Sequence, residues 1–301
     1  MNYQHKICVF TPTFNRAYIL ETLYHSLKKQ SFRDFEWLII DDGSTDDTET
    51  MVNSWQKNRD TFPIRFYKQE NAGKCIAVNR ALELTHSEWF LTVDSDDYLV
   101  ENALEKIASW IDALPNEGSF CAIAANMGVS ESGTPNPVFE GEFFDGTFLD
   151  RYKIIKGELA IVFYTEIHKK YVYTIFFGEK FITEAVAWNR MAHDGYKVRF
   201  YNDILCIYEY REDGLTKKGS RLFLENPQGY GLWLKERASF LNYSLIRKAR
   251  MWYTFYCDLH AERERKPPSA IQCAHYIGAP VPVMIGIAVV RALQCVQKRS
   301  K

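Results

Sequence analysis

The chain has 301 residues, 47% of them hydrophobic and 25% charged, with 37 Lys and Arg against 38 Asp and Glu. That composition excludes a disordered chain, and the net charge of −1 argues against a nucleic-acid binder, which carries a basic excess. The charge is unevenly spread: residues 235–301 hold 12 basic and 4 acidic residues, a net of +8, and the remainder is −9.

Strand and helix signals alternate through the first 125 residues. Ile7-Cys8-Val9-Phe10 is a short apolar run ending at Thr11-Pro12, which predicts a buried strand. Leu20, Leu23, Tyr24 and Leu27 share one helical face. Trp37-Leu38-Ile39-Ile40 predicts a second strand, closed by Asp41-Asp42-Gly43-Ser44. A helix over 47–58 follows, then an edge-type strand at Ile64-Arg65-Phe66-Tyr67. Ala77, Val78, Ala81 and Leu82 mark the next helix. Trp89-Phe90-Leu91-Thr92-Val93 is a fourth strand, closed by Asp94-Ser95-Asp96-Asp97, with a helix expected from about Leu99-Val100. Residues 120–125 predict a fifth strand. This order predicts an α/β fold with a mostly parallel central sheet flanked by helices.

Further on, residues 128–146 read as loop, 181–193 as helix and 199–210 as extended chain. Leu241, Leu245, Ala249, Trp252, Tyr256 and Leu259 form a helical stripe in the basic segment. The expected organisation is a catalytic domain over 1–234 and a basic amphipathic helical tail over 235–301. Within the former, 1–125 is the nucleotide-binding half and 126–234 the acceptor half.

Three polar clusters fall at predicted strand ends, where open parallel sheets bind ligands. They are Thr11-Pro12-Thr13-Phe14-Asn15-Arg16, residues 41–46 and residues 94–97. No G-x-G-x-x-G and no Walker A sequence is present, so a diphosphate needs another holder. The Asp94-x-Asp96-Asp97 carboxylates suit Mg²⁺ or Mn²⁺, which would neutralise charge on a departing diphosphate. The bland alternative is that they cap the following helix. Asp41 and Asp42 could likewise belong to a simple turn, or accept hydrogen bonds from a base or ribose.

Taken with Asn71-Ala72-Gly73-Lys74 and Asn79, these clusters resemble the ordered motifs of the family 2 inverting glycosyltransferases with the GT-A fold. The resemblance is close over residues 6–125 and weaker to about 216. It implies a nucleotide-diphosphate-sugar donor, UDP-linked in most members. Thr11 and Pro12 would lie at the base, Asp42 would pair with it, and Gly73, Lys74 and Asn79 would hold base and diphosphate. Asp94 and Asp96 would contact ribose and metal, and Asp97 could ligate the metal directly. Trp188 and Arg190 match a Trp and an Arg that follow the family's catalytic Asp, which puts Glu184 at the general-base position, with Thr183 where an acid usually precedes it. The His expected after the next strand is missing, and Arg211 or Lys217 could contact the diphosphate instead. The resemblance implies transfer to a hydroxyl of a glycan or lipid-linked acceptor, as in surface polysaccharide synthesis. A binding-only relative and a sugar nucleotidyltransferase are the alternatives.

The seven cysteines form no CxxC pair and read as reduced core residues of a cytoplasmic protein. The uncharged run 276–290 would span about 22 Å as a helix, short of a bilayer core, and Pro280 and Pro282 break it. With the basic residues around it, it predicts peripheral contact with the cytoplasmic face of a membrane.

Overall fold

The parallel half of the sheet follows from four apolar strands. In the computed structural model β1 (Ile7–Thr13) lies between β2 (Phe35–Asp41) and β4 (Trp89–Thr92), with β3 (Ile64–Lys68) outside β2, all parallel. The structure describes residues 3–58, 62–115, 118–150, 155, 157–209, 211, 214–261 and 266–299, with side chains at 215, 216 and 295–299 excepted. Tyr210, at the end of the stretch expected to be extended, lies outside the described residues, as does the Cys295 side chain. Ile7 to Phe10 and Trp37 to Ile40 are fully buried, as their unbroken apolar runs require.

Helices α1 (Ala17–Lys29), α2 (Thr48–Lys57) and α3 (Lys74–Leu84) form the crossovers. The first buries Leu20, Leu23, Tyr24 and Leu27, the stripe expected from the sequence. Tyr24, Trp37 and Trp55 stack in series beneath the sheet, with Tyr24 and Trp55 centroids 4.4 Å apart.

Beyond β4 the sheet departs from the expected parallel order. After β4 comes the two-residue β5 (Tyr98–Leu99), and the helix α4 (Ala103–Asp112) begins only after it. The fifth predicted strand is β6 (Phe120–Gly128). β7 (Phe143–Gly146) emerges from the segment expected to be loop. β8 (Leu159–Tyr164) inserts antiparallel between β4 and β6, and β9 (Lys197–Ile207) runs parallel to β6 and antiparallel to β5 and β7. The sheet order is β3-β2-β1-β4-β8-β6-β9-β5, with β7 also on β9. A bidentate Arg199–Asp145 pair, at 2.8 and 2.9 Å, fastens β9 to β7.

Short α5 (Thr165–His168) and α6 (Ala185–His193) follow β8, and α7 (Ser220–Leu224) precedes α8 (Pro227–Phe240). The chain ends in α9 (Leu245–Leu259), α10 (Ala270–Ile277) and α11 (Val281–Arg299). It forms two compact units: Met1–Val172 with Arg190–Arg211, and Tyr173–Asn189 with Glu212–Lys301. All nine strands among the described residues belong to the first.

The second unit is helical. Trp252, Phe255, Tyr256 and Leu259 of α9 pack against Cys273, Ala274 and Ile277 of α10 and Met284 of α11. Gly231 lets α8 touch α10: a Cβ there would meet the Tyr276 carbonyl at 2.7 Å. Ser269 and Gln272 form a capping box at the start of α10, and left-handed Gly278 ends it. Pro280 follows, so the apolar run 276–290 becomes two helices. No helix among the described residues is long and apolar enough to cross a membrane.

Candidate active site

Parallel pairing puts the carboxyl ends of β1, β2 and β4 at one edge of the first unit, where the three polar clusters emerge. Thr11 is fully buried and its Oγ1 accepts a hydrogen bond from Trp37 Nε1 at 3.0 Å, so its side chain serves the core. Pro12 is half-buried beside it, paired in register with Ile40. Asn15, with φ at 53°, bridges to the second cluster: its N–H donates to Ser44 Oγ and its Oδ1 accepts from Thr45 N–H, both at 2.8 Å.

Asp42 organises the segment that leads into α3. Its Oδ1 accepts from Ala72 N at 2.9 Å and Gln69 Nε2 at 2.8 Å. Its Oδ2 accepts from Gly73 N at 2.8 Å and Asn71 Nδ2 at 3.2 Å. The Asn71 amide also reaches the Asp42 carbonyl. Neighbouring Gly43 has φ at +87°, and a Cβ there would press on Asn71 N at 3.0 Å. Residues 69–73 are thus cast around the 42–43 turn. The polar loop sequence gave no signal that Gln69 would take part.

This cast sets Lys74 at the first position of α3, where its ammonium lies 2.8 and 2.9 Å from the two carboxylate oxygens of Asp94. Asn79 is half-buried further along the same helix. On the other side, Asp97 N–H closes a turn onto the Asp94 carbonyl. With α4 starting at Ala103 behind Asn102, the carboxylates of 94–97 cap no helix, contrary to the bland reading. Buried Gln30 supports the connection, donating to the Val100 carbonyl and accepting from Leu104 N–H.

The three carboxylates repel one another in a partly dry setting. Burial, then the charge of Asp94, raises the Asp96 carboxyl above its ordinary range. Burial, then the charges of Asp94 and Asp96, pushes Asp97 up to about 8. Among the described residues no three Asp, Glu, His or Cys side chains converge closely enough to hold an ion by themselves. The donor chemistry nevertheless fits a hard divalent cation: these are oxygen ligands whose mutual repulsion a cation would relieve. Arg16 and Arg211 are the positive charges acting on Asp96, and Arg211 Nη2 also pairs with Glu209 at 2.8 Å. Of the loop around Arg211, residues 210, 212 and 213 lie outside the described residues.

Glu184 belongs to the second unit, immediately before α6, and its carbonyl accepts from Trp188 N–H as the helix begins. The Thr183 carbonyl accepts from Val186 N–H, and its Oγ1 from Ala185 N–H at 3.4 Å. Trp188 stands one turn on, and Arg190 is counted with the first unit. The segment before Glu184 is tied down within the second unit. Asn226 Oδ1 accepts from Lys180 and Phe181 N–H, and Glu179 accepts from Gln228 and Gly229 N–H at the start of α8.

The site is thus built on a half-parallel sheet, with three carboxylates following the carboxyl end of β4 and a lysine paired to the first of them. The sequence profile of Glycosyl transferase family 2 matches residues 8–176, and the chain belongs to that family. A Campylobacter jejuni GalNAc(5)-diNAcBac-PP-undecaprenol beta-1,3-glucosyltransferase is 27% identical over 222 residues, 72% of this chain and 69% of that one. The Staphylococcus aureus poly(ribitol-phosphate) beta-N-acetylglucosaminyltransferase TarS is 31% identical over 137 residues, 45% of this chain but only 23% of its own length. The structure of TarS residues 1–349 with UDP-GlcNAc superposes with a TM-score of 0.59 at 22% identity, over 84% of this chain and 80% of that one. A Pyrobaculum calidifontis mannosyltransferase with GDP-Man and Mn²⁺ gives 0.53 at 18% identity, over 97% and 76%.

Proposed function

We propose that this glycosyltransferase moves a sugar, with inversion, from a UDP-sugar to a hydroxyl of a lipid-linked or polymeric glycan at the cytoplasmic face of a membrane. The observation that carries the reading is the Lys74–Asp94 pair beside the crowded Asp96 and Asp97, at the mouth of a family 2 domain. Asp94, Asp96 and Asp97 would hold Mn²⁺ or Mg²⁺, which when bound neutralises charge on the leaving diphosphate. Lys74 adds a fixed positive charge toward the same diphosphate. Thr11 and Pro12 present backbone to the base, Asp42 holds 69–73 in place beside it, and Gly73 and Asn79 shape its pocket. Arg211 contributes a second cation.

The acceptor hydroxyl must lose its proton as its oxygen attacks the anomeric carbon and the bond to the diphosphate breaks. Glu184 takes that proton; Trp188 and Arg190 are the residues that follow it in the family's motif. The UDP-GlcNAc complex of TarS supports the donor class, and the undecaprenol-linked substrate in the C. jejuni relative's name supports the acceptor class. The GDP-Man complex supports a metal but a different base. The experiment is a melting-temperature screen against UDP-, GDP- and dTDP-sugars with Mn²⁺, because ligands of the native state raise it. A rise confined to UDP-sugars is expected; a rise with only GDP- or dTDP-sugars overturns the donor, and none at all overturns the reading. Thr183 in place of an acid favours one alternative, a relative that binds a nucleotide-sugar without turnover; Mn²⁺-dependent hydrolysis of the donor excludes it.

A further inference from the structure

Helix α11 is apolar on both sides. Met284 is fully buried, with Ile287 and Ala288 packed against the same core of α9 and α10. The opposite side carries Pro282, Val283, Ile285, Gly286, Val289, Val290, Ala292 and Leu293, all exposed. Leu293 is 60% exposed and Val289 54%. No charged residue interrupts this outer face between Val281 and Val290. A surface helix normally turns polar residues outward, and one that is apolar all round is covered on all sides.

The charge around it says by what. From Lys266 to Lys301 there is no acidic residue, and five are basic. Tyr253 donates to Gln294 at 3.0 Å, which joins α9 to the far part of α11. The start of α9 adds exposed Leu245 and Ile246, at 73% and 70%, with Arg247, Lys248 and Arg250 beside them. A second copy of this chain would bring the same positive charge against its own, whereas an anionic lipid leaflet offers hydrocarbon to the outer face and headgroup charge to the arginines and lysines.

We propose that the outer face of α11, with the start of α9, lies in the headgroup layer of an anionic bilayer. The helix rests in the interface and does not span. This deepens the reading that the enzyme works at a membrane, and its test uses no donor or acceptor, so its failure leaves the transfer chemistry untouched.

The test is flotation of the full chain with phosphatidylcholine vesicles, with and without 30 mol% (about one lipid in three) phosphatidylglycerol. Flotation with the anionic vesicles is expected, reduced at least about tenfold by high salt. The double variant V289E/L293E loses it at least about tenfold, while circular dichroism and melting temperature match the parent, since both side chains are exposed. A Val290→Trp reporter, quenched by brominated lipid, gives an independent readout. Absence of flotation by the parent, equal flotation by V289E/L293E, or an unquenched reporter overturns the proposal. So does a parent dimer that V289E/L293E turns into a monomer, because the second copy is then what covers the face.

Discussion

At the scale of single residues, Asp42 shows how one carboxylate can build a site. Four donors from residues 69–73 converge on its two oxygens. Asp42→Ala leaves two backbone N–H groups, those of Ala72 and Gly73, without their acceptor, and is expected to cost about 3 kcal/mol. Urea denaturation measures it; a loss below about 0.5 kcal/mol would mean that the loop is held by other contacts.

Asp97 gives a pH dependence with a definite sign. Its folded value of about 8 lies above the ordinary 3.8, so across that range the native state keeps a proton that the unfolded chain has lost. The group's contribution to stability is full below about pH 4 and is lost as pH rises through about 8. A divalent cation needs the anion, so Mg²⁺ should raise the melting temperature more at about pH 8.5 than at about pH 6. Asp97→Asn should flatten that difference; an unchanged difference in the variant would assign it to another group. The crowding of Asp94, Asp96 and Asp97 was legible in the sequence, because the three acids fall within four residues directly after an apolar strand. The fourfold capture of Asp42 was not, since donors 27 to 31 residues away leave no local pattern.

At the scale of elements, β1 to β4 and α1 to α3 were legible from the sequence, and α4 was legible in all but its start. The misplaced ones share a cause: partners remote in sequence. Tyr98 and Leu99 are strand because they pair with Ile207 and Cys206, which delays α4 to Ala103. β8 is an apolar six-residue run whose antiparallel place between β4 and β6 no local signal announces. β7 is likewise made strand by β9, through Arg199 and Asp145. In the helical unit, Gly231 has no turn to make; it is small because α10 passes close by. Gly231→Ala drives a methyl group into the Tyr276 backbone and is expected to lower stability by about 1–3 kcal/mol. A thermal melt that is unchanged or raised would show that α8 and α10 can part without cost.

At the scale of the whole molecule, a net charge of −1 is the sum of an acidic body and a tail of +8. The whole of the tail falls in the helical unit, which also takes in Tyr173–Asn189 and with it Glu184. The carboxylates and Lys74 proposed to hold the donor belong to the sheet unit. Donor holding and proton removal are thus assigned to different units of one chain, and they should separate in a variant. The Glu184→Gln protein is the direct test. It should bind the UDP-sugar with Mn²⁺ as the parent does, while transfer to acceptor falls at least about 100-fold. Transfer at the parental rate by Glu184→Gln would contradict this assignment.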